Sequence, residues 1–124
     1  MKIGVCVSYG DIETMPAKFQ TLREQGFDNC QLISWKPQVW TEENSVIVND
    51  YLKEYGIEVS AFWCGWEGPQ AWNFYEGQLT LGLVPTEYRA TRIKNLCDGA
   101  DFAKKFGIDI IEVIKGGNIE EAAY

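Results

Sequence analysis

Apolar and polar positions fall into blocks along this chain, and each block carries one of two periods. Lys2 to Ser8 (Lys-Ile-Gly-Val-Cys-Val-Ser) is β-branched and nearly continuous in apolar character, the pattern of a strand buried on both faces. Tyr9-Gly10-Asp11 leads out of it. A helix then starts at Thr14 or Met15, with Pro16 in the first turn, where its missing N–H does no harm. Phe19 and Leu22 form its inward stripe, and it stops before Gly26. Asn29 to Ile33 predicts a second strand, with a loop from Ser34 to Trp40. Thr41 is placed to cap a second helix, whose first turn holds Glu42 and Glu43, favourable to the dipole. Val48, Tyr51, Leu52 and Tyr55 recur at i, i+3, i+4 and i+7, one apolar helical face. Ile57 to Trp63 predicts a third strand. Pro85-Thr86-Glu87 opens a third helix with Thr86 as cap, and Ile93, Leu96, Cys97, Ala100 and Ala103 give its buried stripe. Ile108 to Ile114 predicts a fourth strand, and residues 115–124 a tail with at most a turn of helix.

The boundaries are marked by a weak repeat. Gly26-Phe27-Asp28, Gly56-Ile57-Glu58 and Gly107-Ile108-Asp109 all read glycine, apolar, acid. Each follows a helical pattern and precedes a strand pattern, so each glycine is placed to take the left-handed residue past a helix end. The order is therefore β-α-β-α-β-α-β in a single domain over 1–124, an α/β fold. Right-handed crossovers put all three helices on one face if the strands lie in sequence order. With two or three apolar side chains per strand on the other face, the bare surface represents on the order of 10 kcal/mol. That rivals the stability of a domain this size. Either the strand order is shuffled or something covers the sheet.

Between the third strand and third helix lies the stretch that the rest is organised around. Ser60 to Val84 holds Trp63, Trp66 and Trp72 and the isolated carboxylates Glu67 and Glu76. Such a long aromatic loop inside a compact domain is functional rather than disordered. Net charge is −7, which disfavours nucleic acid and anionic membrane partners. No apolar run is long enough to span a bilayer, and the N-terminus has no signal-peptide layout. Cys6, Cys30, Cys64 and Cys97 are widely spaced and read as reduced, mostly buried thiols of a cytoplasmic protein, not as a zinc site. There is no histidine, which excludes His-based acid–base catalysis, Ser-His or Cys-His pairs and His-containing metal sites within the chain. No catalytic residue is assigned.

The runs Phe62-Trp63-Cys64-Gly65-Trp66-Glu67-Gly68-Pro69, Trp72-Asn73-Phe74-Tyr75-Glu76-Gly77, Thr80-Leu81-Gly82-Leu83-Val84-Pro85 and Tyr88-Arg89 resemble the sugar phosphate isomerase/epimerase proteins of the xylose-isomerase-like superfamily. The resemblance covers residues 1 to about 113. It implies the first half of a (β/α)8 TIM barrel, four parallel strands with three helices. In the family, strand 4 runs into a Thr-His-x-Gly-Phe-Ile-Pro-Glu type segment, where this chain has Lys115 in the histidine position. The divalent-metal ligands and the catalytic carboxylate pair that the resemblance implies come from strands 5 to 8. The chain itself is therefore expected to hold no cofactor and to be catalytically incompetent alone. It keeps the half that shapes the pocket, and its expected partners are a second copy, as a homodimer, or a complementary half-barrel chain, with a small sugar or sugar phosphate as ligand.

The candidate substrate-binding residues are Trp35, Trp63, Trp66, Glu67, Trp72, Asn73 and Glu76. Tryptophans offer platforms on which sugar C–H faces pack, and they equally fill a loop's own core. Trp35 and Trp40 carry the same two readings with less weight on binding. Glu67 and Glu76 could bind sugar hydroxyls, or hydrogen-bond the loop backbone. Asn73 could meet a hydroxyl or hold the loop. Arg89 and Arg92 could bind a phosphate, or pair with the chain's carboxylates. Lys115-Gly116-Gly117-Asn118 could form an anion nest, Lys115 could in principle form a Schiff base, and Glu112 could face the barrel interior. A carbohydrate-binding or assembly module using residues 60–84 without chemistry is the alternative reading, and a flavodoxin-like domain ranks low because the first loop lacks a phosphate-binding glycine pattern.

Overall fold

The computed structural model describes residues 2–113. The readings placed on Ile114, on Lys115 and on the rest of the tail lie outside them. Strands β1 (Val5–Tyr9), β2 (Asn29–Ser34), β3 (Glu58–Cys64) and β4 (Ile111–Glu112) form one parallel sheet in the order β1-β2-β3-β4. The order is sequential, not shuffled, so right-handed crossovers lay the connecting helices on one side. These are α1 (Met15–Glu24), α2 (Glu42–Tyr55) and α4 (Thr86–Lys104), and a short fourth helix, α3 (Gly77–Thr80), interrupts the aromatic loop. Strand β4 is shorter than its apolar run, because its ladder to β3 extends only over Phe62–Ile111 and Trp63–Glu112.

Local signals account for most boundaries. The Asn44 N–H donates to the Thr41 hydroxyl at 3.2 Å, the cap read from sequence, and Gly56 closes α2 in the left-handed region at φ 60°. Gly26 and Gly107 take φ 85° and 79° at the other two helix-to-strand returns. Thr86 does not cap α4. Pro85 occupies the N-cap position and no side chain bonds the first turn, so Thr86 is the first helical residue.

The core lies between the sheet and the helices. Val7 and Tyr9 of β1, Cys30 and Leu32 of β2 and Phe62 and Cys64 of β3 meet Phe19, Leu22, Val48, Leu52 and Phe102. The expected faces of α1 and α2 are the buried ones. Helix α4 departs from expectation. Its buried residues are Arg92, Asn95, Gly99, Phe102 and Ala103, while Ile93 is 47% exposed and Cys97 is exposed. The reason is a close approach. A Cβ on Gly99 would stand 2.4 Å from the Cys64 Sγ and 3.2 Å from the Trp40 ring. The helix therefore turns Gly99 to the sheet in place of Ile93 and Cys97, while Ala103 of the expected stripe is buried and Leu96 packs on the core. Cys30 and Cys64 are buried, and burial pushes their thiols up to about 12, but Cys6 and Cys97 are exposed, so half of the free thiols rather than most are interior.

The face turned away from the helices also corrects the sequence reading. Strand β1 is buried on one face only, with Cys6 and Ser8 exposed and alternating with buried Val7 and Tyr9. Cys6, Gln31 and Ala61 share one row of the ladder, and Ser8, Ile33, Trp63 and Glu112 the next. The Cys6 thiol donates to Gln31 Oε1 at 3.6 Å, and Gln31 Nε2 donates to Glu112. The open face is a mixed polar surface, not the bare apolar one expected. Glu112 does face what would be a barrel interior, and its partner is an amide.

Candidate functional site

All loops that follow a strand leave a parallel sheet at its C-terminal end, and two of them converge here. Trp35, one residue past β2, is the hub. Its ring centre lies 5.9 Å from that of Trp63, 5.1 Å from Trp66 and 5.9 Å from Trp72, the last two edge-on. Aromatic pairs at these spacings add about 0.5–1.5 kcal/mol each beyond area burial. The approach that allows it is set by Gly65, where a Cβ would fall 2.5 Å from the Trp35 Cα and 2.7 Å from the Ser34 carbonyl oxygen. The Gly65 N–H donates to that oxygen at 2.7 Å, tying the two loops at their roots.

Within the cluster the rings differ in access. Trp66 is buried, Trp35 and Trp63 are half-buried, and Trp72 is 57% exposed. The indole N–H groups of Trp63 and Trp66 are buried without an acceptor among the described residues. Trp40 does not belong to the cluster. It packs edge-on against Phe62 at 5.6 Å and its Nε1–H donates to the Ser34 hydroxyl at 2.9 Å, so it is core. Tyr9 is buried nearby and burial holds its phenol well above the ordinary range, with Ser34 opposing.

The carboxylates behave as loop fasteners. Glu67 is exposed, accepts from Gln38 Nε2 at 3.0 Å, and its backbone N–H donates to the buried Asn95 side chain at 3.1 Å. Asn73 Oδ1 accepts from the Tyr75 and Glu76 N–H groups at 3.0 and 2.8 Å, and its amide donates to the Glu76 carboxylate at 2.9 Å. Of the candidate residues, the four tryptophans are thus brought together, Glu67 stands at the rim beside Gln38, and Asn73 and Glu76 are occupied with each other. Beyond Trp72, Phe74 and Tyr75 stand 98% and 85% exposed.

Both arginines bond main-chain oxygens, a role that the sequence readings did not include. Arg92 is buried, with Nη1 donating to the Gly82 carbonyl at 2.6 Å and Nη2 to the Pro69 carbonyl at 2.9 Å. Its guanidinium lies 5.0 Å from the Trp66 ring centre and 4.7 Å from that of Tyr88. Burial lowers its pKa. Arg89 donates to the carbonyls of Leu83 and Val84 at 2.9 and 2.5 Å. Both hold the loop to α4 through main-chain oxygens, and among the described residues neither pairs with a carboxylate. Sequence reasoning missed Arg92, Asn95 and Gln38 as the residues that fix the loop. Backbone acceptors leave no mark in sequence, but polar residues at 92 and 95, one helical turn apart and opposite the loop, were a usable signal.

Among the described residues no three of His, Cys, Asp or Glu gather to hold a metal. The divalent-metal set implied by the resemblance does not fit them. Among the same residues no helix is long and apolar enough to cross a membrane.

A sequential parallel sheet with helices on one side and a site at the strands' C-terminal ends defines part of a TIM barrel. No family model matches the chain. In structure the chain is similar to a xylose isomerase domain protein from Planctomyces limnophilus, with a TM-score of 0.82 at 24% identity, over 98% of this chain and 43% of that one. The fold is that of a partial, half-barrel piece of a xylose isomerase-like TIM barrel, and the chain spans less than half the length of the protein it matches.

Proposed function

We propose that this chain is the pocket-shaping half of a sugar isomerase or epimerase-like barrel, inactive alone and completed by a second half, and that it binds a small sugar at the Trp35 cluster. The observation that carries this is the convergence of Trp63, Trp66 and Trp72 on Trp35 where β2 and β3 end. Half-buried and exposed indole faces suit the C–H faces of a sugar ring, and the Gln38–Glu67 pair beside them supplies polar groups for hydroxyls. Arg89 and Arg92 are committed to carbonyls. A phosphate on the sugar would therefore be held by groups other than these two arginines.

Tryptophan fluorescence titration with a panel of aldoses and ketoses tests the binding. A saturable quench or shift that disappears in Trp35→Ala is expected. No response across the panel would remove the sugar reading. Isomerase or epimerase assays with added divalent metal test the other clause, and turnover by the chain as an isolated monomer would refute inactivity alone.

A further inference from the structure

The sheet has two outer edges that are unpaired among the described residues. β1 pairs with β2 alone, and β4 with β3 alone. An open edge offers a row of unmet backbone donors and acceptors, which proteins cover, blunt or close into a barrel. The two edges here are unlike. Between β1 and α1 runs a groove of about 730 Å³, with Val5, Val7, Ala17 and Leu22 in its walls and Lys18 as its one charged side chain. At the β4 edge Ile110 and Val113 stand out at 59% and 40% exposure, and the ionisable residues of 108–113 are Asp109 and Glu112, both acidic. One edge is a groove that carries Lys18, bonded to the Ser8 carbonyl, and the other presents exposed Ile110, Val113 and Asp109, while Glu112 turns to the open face.

We propose that two copies of this chain close into one eight-stranded parallel barrel around a two-fold axis, the β4 edge of each docking in the β1–α1 groove of the other. Strand number, direction and hand all agree with this. Four strands in sequential order are half of an eight-stranded barrel. A half-turn about the barrel axis keeps every strand pointing the same way, so the new pairs are parallel and the helices stay outside. Each copy spends both edges at once, so an unlike-surface contact closes at two instead of running on into a filament. A face-to-face sandwich would leave both edges of each sheet unpaired, which closure at the edges does not. Closure at the edges leaves the Cys6–Gln31–Glu112 chain lining the lumen. The inference rests on the fold and is independent of what the mouth binds.

The test is molar mass by light scattering over a dilution series, for the chain and for Ala17→Arg and Ile110→Glu, both at exposed positions, with circular dichroism to confirm folding. Twice the chain mass is expected for the parent and the monomer mass for each variant. An equimolar mixture of the two variants should return to dimer, since it joins Arg to Glu at one interface and restores the parent contact at the other. A parent that is monomeric throughout overturns the proposal. So does a dimer indifferent to both substitutions, or a mixture that stays monomeric. Sugar titration is read separately by fluorescence, so loss of binding and loss of closure cannot be confused.

Discussion

The Arg92 guanidinium lies 5.0 Å from the centre of the Trp66 ring, and both side chains are buried. A cation that reaches from α4 to the carbonyls of Gly82 and Pro69 fastens both ends of the aromatic loop through one residue. Arg92→Ala leaves those carbonyls and the ring without their partner. It is expected to cost about 2–4 kcal/mol, from two charged hydrogen bonds and a desolvated cation–π contact. Arg92→Lys should recover less than half, because an ammonium cannot reproduce the planar fork. Urea unfolding measures both, and an Arg92→Ala midpoint equal to the parent's would refute the stapling role.

Gly99→Ala normally favours a helix, by about 1 kcal/mol. Here the added methyl meets the Cys64 Sγ at 2.4 Å. Overpacking of this kind costs about 1–3 kcal/mol, so the net sign should reverse to destabilising. Removing the obstacle should restore the difference: in the Cys64→Ala background the Gly99→Ala penalty is expected to shrink, read as a coupling energy in a double-mutant cycle.

Gly65→Ala should act on the site rather than the fold. Its methyl would strike backbone at Trp35 and Ser34, which cannot rotate away. The near-ultraviolet circular dichroism of the coupled indoles is expected to collapse, along with any sugar response, while far-ultraviolet signal persists. An unchanged near-ultraviolet spectrum would mean that the loops are not fixed by this approach.

Burial raises the Cys30 and Cys64 thiols from an ordinary 9.0 to about 12, and the Tyr9 phenol rises too. The folded state thus holds protons that the unfolded chain releases. Stability is fully present below pH 9 and falls as pH climbs from about 9 towards 12, at about 1.4 kcal/mol per pH unit for each such group. Denaturant midpoints across that range check the slope. A thiol reagent at pH 8 should modify Cys6 and Cys97 quickly, and Cys30 and Cys64 only on unfolding.

The periodic and punctuating features were legible: the Thr41 cap, the Gly26, Gly56 and Gly107 returns, the inward faces of α1 and α2, and the aromatic loop as the organising stretch. What failed did so for definable reasons. The apolar stripe of α4 pointed to Ile93 and Cys97, but packing distance to Cys64 and Trp40 chose Gly99 instead. The roles of Arg89 and Arg92 depend on carbonyl oxygens, which every residue has. Strand β1 reads as continuous apolar only if Cys6 and Ser8 count as buried, and the half-barrel leaves them exposed. The convergence on Trp35 joins positions far apart in sequence, and spacing alone could not have distinguished it from Trp40.

Trp35 touches one ring carried by β3 and two carried by the part of the loop before α3, while Gly65 is bonded to its neighbour Ser34. The two segments at the mouth are therefore tied to each other by ring contacts and a backbone bond. The conformational entropy of shaping the aromatic wall is lost when the chain folds, not when a ligand arrives, so whatever docks there meets a surface whose form is already decided.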